Sequence, residues 1–416
     1  MRIEDVFTPG GFPLHTYNPR DELELENQLK DYLDTGYKLL SLTGPTKSGK
    51  TVLCRKVISK KSGIWVSGGE IREENDFWIN IIERLDAFTN VSSEIRSEDN
   101  QTLSTSVEGG INAVVAKGSG SLGGSTTSTK GITTIYSRYD TPRNAAIRNL
   151  EKQNIPVIID DFHYIPPEVQ TQIIRSLKNP IFEGLRVVLL SVPHRAYDAV
   201  KVESEMTGRV QQLKIPLWGT EELIEIAEKG FPLLNVTSPR EQNRALADES
   251  YGNPQLMQEF CESLCKSNNI RETTPDVTPI TFTPSMAGFF KGITDKITSK
   301  NDYALLLRGP RQRTDRIKRR FVDGTEGDIY AAVLQALANT GPEMETRYEQ
   351  IRTQLRSVLD ENIPQLHEVS RVLAQMELIS SHSEGKPRLI EWDKDSTTLY
   401  ILDPYFAFFL RWSVRC

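Results

Sequence analysis

Four cysteines, five histidines and no long apolar run close off several function classes to this sequence. Cys54, Cys261, Cys265 and Cys416 form no C-x-x-C pair and no zinc spacing, so neither a disulfide framework nor a structural metal is expected. Cys261 and Cys265 are four apart on an expected helix and read as buried thiols. No apolar run approaches the ~18–20 residues that a membrane-spanning helix needs. The first residues, MRIEDVFTPGG, lack the apolar core of a signal peptide, and a cytoplasmic location is the expectation. Basic excess is missing too: 56 acidic residues against 50 Lys and Arg give a net charge of −6. Bulk electrostatics therefore do not mark a nucleic-acid binder, and any such site must be a local patch. What remains is a chain of 416 residues, 38% hydrophobic and 25% charged. That suits a globular protein of two or three domains with a real core.

The organising stretch is Gly44-Pro45-Thr46-Lys47-Ser48-Gly49-Lys50-Thr51, which fits G-x-x-x-x-G-K-[ST]. Leu39, Leu40 and Leu42 precede it as a short buried strand, and Val52, Leu53, Val57 and Ile58 follow at helical spacing. Strand, glycine loop and helix is the context the motif needs. Gly44 and Gly49 let the backbone curl so that successive N–H groups cradle phosphate oxygens, and the helix adds its positive N-terminus. Pro45, Thr46, Lys47, Ser48 and Val52 complete the expected phosphate-binding set. Lys50 is expected on the β- and γ-phosphates of ATP, and the Thr51 hydroxyl on Mg²⁺.

A second constellation follows about 110 residues later. Ile155-Pro156-Val157-Ile158-Ile159 is an unbroken apolar run, as a central parallel strand requires, and it ends in Asp160-Asp161. Ligands sit at such strand ends in open α/β sheets. Asp160 is placed to hold Mg²⁺ and Asp161 to orient or deprotonate the attacking water. Aspartate at this second position is one methylene shorter than the usual glutamate, which implies slow or partner-dependent hydrolysis. Further strands are expected at Ile64–Val66, Arg186–Ser191 and Leu213–Ile215. Ser191 stands where a γ-phosphate sensor would lie, with His194 and Arg195 in the loop after it.

Around this core, Phe7–Tyr17 is a Pro/Gly-rich lead-in. It either brings Phe12, His15 or Tyr17 to the base or straps a sheet edge. Asn18 and Pro19 are suited to open the Leu-rich helix that follows. Residues 101–130 hold 17 Gly, Ser and Thr among 30, either a loop or a hairpin with Ile111–Val115 as one arm. Residues 308–320, RGPRQRTDRIKRR, carry seven basic residues and one Asp. They would contact phosphate backbones, dock on the acidic body, or form a solvated face. Helices are expected at Ile329–Ala338, Tyr348–Leu359 and Pro364–Met376, then strands at Leu378–Ser381, Leu389–Trp392 and Thr398–Leu402. Three helices and a β-ribbon describe a winged helix.

The extra strand between the loop strand and the Asp160-Asp161 strand, with that acidic pair, resembles the AAA+ and STAND group of P-loop ATPases. The resemblance covers about residues 15–265. Arg20-Asp21 is similar to the group's N-terminal Arg-Glu box, and Arg209 matches an arginine that reaches a neighbour's γ-phosphate. Gly252-Asn253-Pro254 is similar to the Gly-x-Pro turn of the STAND lid, with Pro254 touching nucleotide. Gln255, Leu256 and Met257 stand where an AAA+ sensor arginine belongs, which favours STAND. The ending Leu402–Trp412 resembles the C-terminal tail of prokaryotic single-domain ATPases of this group. The resemblance implies a three-layer α/β P-loop ATPase domain over 1–215, with a strap at 1–17 and an insertion about 97–135. It further implies a helical lid at 216–268, a linker at 269–325 and a winged helix at 326–416. It implies a cytoplasmic ATP- and Mg²⁺-dependent switch in bacterial defence or signalling, acting through a protein partner or a homo-oligomer. The alternatives are a DNA-binding ATPase of origin-recognition or transposition-regulator type, which would use 308–320 and the wing, and a non-hydrolysing switch.

Overall fold

The computed structural model describes residues 1–87, 90–97, 111–116, 132–192, 208–310, 316–381 and 388–414, with backbone alone for 90–97, 111–116 and 132–139. The chain forms two compact units: Leu29–Leu42 with Val57–Leu213, and Met1–Gln28 with Thr43–Lys56 and Lys214–Cys416.

The first unit is built on a five-stranded sheet. Its strands are β1 (Leu39–Thr43), β2 (Ile64–Ser67), β6 (Val157–Asp160), β7 (Val187–Ser191) and β8 (Val210–Lys214), and the second sheet of the unit contributes β3, β4 and β5. The order is β2-β6-β7-β1-β8. β6 runs parallel to both β2 and β7. Every residue of β1 and of β7 is buried, so both faces of the sheet are covered. The helices Glu74–Arg84, Pro142–Gln153 and Pro167–Phe182 share one apolar cluster with the strands, including Phe77, Trp78, Leu150, Ile173 and Leu177. This is a three-layer α/β P-loop fold with a helical part.

β3 (Asn90–Ser97), β4 (Ile111–Ala116) and β5 (Ile132–Tyr139) form a small antiparallel sheet in the order β3-β5-β4. Ile111–Val115 is thus a hairpin arm, while most of the Gly/Ser/Thr-rich stretch lies outside the described residues.

In the second unit the lead-in packs on the helix Thr220–Leu233. Phe7 meets Phe231 edge-on at 5.4 Å, and a Cβ on Gly230 would sit 2.3 Å from the Phe7 ring, so only glycine fits there. The helices Thr220–Leu233, Arg240–Asp248 and Pro254–Ser267 bury Ile224, Leu246, Met257 and Phe260 with Ile3 and Val6. β9 (Val236–Thr237) pairs in parallel with β10 (Thr278–Pro279). Asn18 does not open the Leu-rich helix. Arg20 and Glu24 both take positive φ (56° and 48°), which breaks the run, so the helix starts at Leu25. Asn18 instead accepts from the Arg20 N–H and donates to Glu222 O and Glu225.

The C-terminal part of this unit has its own cluster. Helices Ile329–Asn339, Tyr348–Val358 and Leu366–Ser381 pack with an antiparallel sheet. After the short hairpin β11 (Arg319–Arg320) and β12 (Glu326–Gly327), its strands are β13 (Glu345–Arg347), β14 (Ile390–Asp393) and β15 (Thr398–Ile401), in the order β13-β15-β14. The strand expected at Leu378–Ser381 is the last turn of the third helix. Its buried stripe Val369, Val372, Leu373, Met376 and Ser380 keeps helical spacing, and no Gly or Pro interrupts it. The basic stretch does not present all its charge. Arg316 pairs with Asp328, donates to Arg308 O and Pro310 O, and stacks 4.6 Å from the Tyr330 ring. Arg319 is buried against Glu368 and Asn362 O. Lys318 and Arg320 are exposed, and residues 311–315 lie outside the described residues.

Candidate functional site

The glycine loop leaves the last residue of β1, and its geometry dictates its sequence. A Cβ on Gly44 would stand 2.8 Å from Ile215 O and 2.9 Å from Ser48 Oγ, so any side chain there clashes with backbone. Gly49 takes φ +98°, and Lys47 is held at +60°, which is uncommon for a non-glycine residue. Ser48 N–H turns inward to donate to Pro45 O at 3.2 Å. Lys50 opens the helix Lys50–Val57, is buried, and donates from Nζ to Gly44 O (2.8 Å) and Pro45 O (2.7 Å). Its ammonium therefore lies across the loop. Among the described residues, Ser48 Oγ is buried without a hydrogen-bond partner. A buried hydroxyl donor and an ammonium aimed along a glycine-lined curl at a helix N-terminus fit a phosphate chain. Thr51 and Val52 are half-buried in the first turn of that helix, and Pro45 and Thr46 are half-buried on the loop.

The outer side of the loop is gripped by other parts of the same unit. Trp218 Nε1 donates to Ser48 O at 2.9 Å. Asn253 Nδ2 donates to Thr46 O at 3.3 Å and Lys47 O at 3.2 Å. Lys47 Nζ lies 3.0 Å from Asp403 Oδ1 and 4.3 Å from the Tyr405 ring centre. Of the Gly-x-Pro turn, then, the contact to the loop is made by the middle residue. Pro254 opens the helix behind it, where its missing N–H costs nothing. Gly252 takes φ +65° and its carbonyl accepts from Trp218 N–H at 3.2 Å. Asn253 Oδ1 caps the helix by accepting from Leu256 N–H at 2.9 Å.

Arg20 is used up in holding this region. It donates to Glu222 through Nε (2.7 Å) and Nη2 (2.9 Å), to Pro216 O and Leu217 O at 3.0 Å each, and lies 5.0 Å from the Trp218 ring. Its carboxylate partner is Glu222, not the adjacent Asp21, which is exposed.

In the sheet unit, Asp160 ends β6 opposite Ser67 of β2 and accepts from Asp161 N–H at 3.0 Å. Asp161 takes φ +54°, and a Cβ on Gly68 would lie 2.3 Å from Asp161 O. The turn after β2 is thus packed against the backbone of the acidic pair, and Gly68 has no alternative. Ser191 ends β7, the neighbour of β6, and is buried. Arg209 is elsewhere. Its carbonyl accepts from the N–H of Leu39, the first residue of β1, and its exposed guanidinium lies 5.5 Å from the Phe182 ring. It sits where strands begin, whereas Asp160 and Ser191 sit where strands end. His194 and Arg195 lie outside the described residues.

Trp218, Asp403 and Tyr405 are site neighbours that the sequence motifs do not mark, and Asn253 is the unspecified middle residue of the Gly-x-Pro turn. Their one local signal is that Asn253 and Asp403 each precede a proline at a helix start.

Solved structures place this geometry among known folds. The Walker-type ATPase of Pyrococcus abyssi aligns over 96% of this chain and 99% of its own, at 15% identity and a TM-score of 0.53. The ORC2 protein of Aeropyrum pernix, solved in ADPNP–ADP complexes, aligns over 98% and 95%, at 15% identity and 0.47. The ORC1 protein of Aeropyrum pernix, solved in complex with DNA, aligns over 99% and 96%, at 13% identity and 0.46. At these identities a likeness bears on fold alone, and the first of the three carries it. No family model matches this sequence, and no curated protein does. Among the described residues, no helix is long and apolar enough to cross a membrane.

Proposed function

We propose that this protein is an ATP-binding switch that hydrolyses ATP with Mg²⁺. One observation supports it above others: the Gly44–Thr51 loop curls around the Lys50 ammonium, with the Ser48 hydroxyl buried and unpartnered beside it. In this reading the backbone N–H groups of Gly44 and of Thr46 to Val52 hold the phosphate chain and Lys50 neutralises its charge. Thr51 and Asp160 hold the metal, which supplies charge neutralisation for phosphoryl transfer. Asp161 orients the attacking water and accepts its proton, and Ser191 hydrogen-bonds the terminal phosphate. Arg209, exposed and remote from its own strand ends, serves a neighbouring copy. Pro254 carries the turn that follows nucleotide state. Residues 329–401, three helices with a three-stranded sheet, are read as a winged helix that takes part in the switch. Output passes to a protein partner or an oligomer, in keeping with the defence or signalling role that the family resemblance implies.

The test is nucleotide titration and phosphate release with the full chain. Lys50→Ala is expected to abolish ADP and ATP binding. Asp161→Ala is expected to keep binding and lose turnover. Binding that survives Lys50→Ala would overturn the reading, and turnover that survives Asp161→Ala would overturn the assignment of the base.

A further inference from the structure

In a trans peptide the N–H of one residue points opposite to the C=O of the residue before it. Whatever fixes the carbonyls of Thr46, Lys47 and Ser48 therefore fixes where the N–H groups of Lys47, Ser48 and Gly49 point. In this protein all three carbonyls are held from outside the loop. Asn253 takes the first two with its one amide nitrogen, and Trp218 takes the third. The Ser48 N–H, opposite the Lys47 carbonyl, donates to Pro45 O at 3.2 Å, the carbonyl that Lys50 Nζ also bonds.

Neither donor depends on the loop for its own placement. Asn253 is anchored as a helix cap through Oδ1, which leaves Nδ2 for the loop. Trp218 is anchored through its backbone to Gly252 and through its ring to Arg20, which also pins the two carbonyls before it. A Cβ on Gly252 would stand 3.1 Å from Leu217 Cβ and 3.2 Å from Trp218 O, so the two segments approach as closely as glycine permits. The two donors form one pre-set fixture.

We infer that Asn253 and Trp218 are positioning residues for the phosphate cradle, turning the amides of Lys47, Ser48 and Gly49 toward the phosphate chain of a nucleoside di- or triphosphate. The inference rests on the nucleotide site proposed above and adds to it the part that orients its amides. It also gives the lid a physical hold on that site.

The two roles of Asn253 separate by substitution. Asn253→Ser keeps a capping oxygen and removes the amide N–H₂ that reaches the two carbonyls; Asn253→Asp keeps the cap and sets a carboxylate against them. Trp218→Phe keeps an aromatic ring beside Arg20 and removes the indole N–H together with part of the indole's volume. The experiment is calorimetric titration of the full chain with ADP and with AMP, plus a thermal melt of each variant without nucleotide. Asn253→Ser and Trp218→Phe are each expected to weaken ADP about tenfold, the worth of roughly one net hydrogen bond, and Asn253→Asp more. AMP, which lacks the β-phosphate, is expected to lose far less, and the melts to stay near wild type. ADP affinity within about twofold of wild type in both variants would overturn the inference, while Lys50→Ala still abolishing binding would leave the nucleotide site standing. Equal losses for ADP and AMP would also overturn it, because general loosening weakens both alike. Should Asn253→Ser fail to fold, Trp218→Phe decides alone. A wild-type chain that binds neither nucleotide would overturn the site and the inference together.

Discussion

Gly44 shows what a single residue decides here. Its Cβ would overlap a backbone carbonyl, Ile215 O, which has no rotamer to escape into. Gly44→Ala should therefore cost about 1–3 kcal/mol and weaken nucleotide binding at the same time; a urea melt and an ADP titration would read both. Glu249 makes a prediction of a different kind. It is 4% exposed and accepts from Trp412 Nε1 at 2.7 Å and Arg411 at 2.8 Å. Burial outweighs these partners, with Asp248 adding to it, and lifts the carboxyl above its ordinary pKa. A raised folded-state value means that the stabilising contribution is full below the ordinary carboxylate pKa and is lost as pH rises through the folded one. Glu249→Gln should flatten that fall, checked by urea midpoints between about pH 4 and 7. At this scale the sequence is informative where partners are local. Gly44, Gly49, Lys50 and Thr51 are legible because the motif compresses them into eight positions. Trp218, Asn253 and Asp403 meet the loop across 170, 206 and 356 residues, and the proline after Asn253 and after Asp403 marks a helix start without announcing that contact.

Elements were legible where apolar spacing is strong and a proline or glycine marks an end. The helices Pro142–Gln153, Pro167–Phe182 and Pro254–Ser267 each open on a proline, and β6 and β7 are the unbroken apolar runs. Leu378–Ser381 misleads because four residues, Leu-Ile-Ser-Ser, do not distinguish a short strand from a helix end. β13 escapes for the same reason: Glu345–Arg347 is polar and three residues long, and pairing with β15 makes it a strand. The basic stretch is the clearest case of composition outrunning structure. Arg316 is held by Asp328, two carbonyls and Tyr330, so its guanidinium is a tie between the helices ending at Arg308 and starting at Ile329. Arg316→Ala should cost about 2–4 kcal/mol, because it leaves Asp328 partly buried without its cation. A thermal melt checks this, and a loss of DNA affinity with unchanged stability would contradict it. The helix Pro404–Phe409 ties the same unit together apolarly: Phe408 belongs to the cluster that holds Phe260, and Phe406 to the C-terminal one.

For the molecule as a whole, the α/β class followed from an alternation of apolar strands with amphipathic helices, which the five-stranded sheet confirms. The strand order needs contacts between segments distant in sequence and was not readable. Lys50 belongs to one compact unit and Asp160 to the other. Sequence order alone gives no hint of that division. Arg209 makes the prediction at this scale. Exposed and beside the start of β1, it is expected to act only in an assembly. Arg209→Ala should leave ADP affinity unchanged and lower ATP turnover, and the wild-type mass should rise when an ATP analogue is added. Mass photometry and phosphate release read the two outcomes, and a monomer under all conditions would rule the role out.

The indole of Trp218 ends on a carbonyl of the glycine loop, so the protein carries its own optical reporter. Emission from an indole depends on what its N–H donates to and on the charges nearby. ADP added to the unlabelled chain should shift the tryptophan spectrum, and Trp218→Phe should remove that shift while Trp65, Trp78, Trp392 and Trp412 remain as a constant background. The state of the loop can then be followed in stopped flow, on the timescale of each turnover, without attaching a dye to either the protein or the nucleotide.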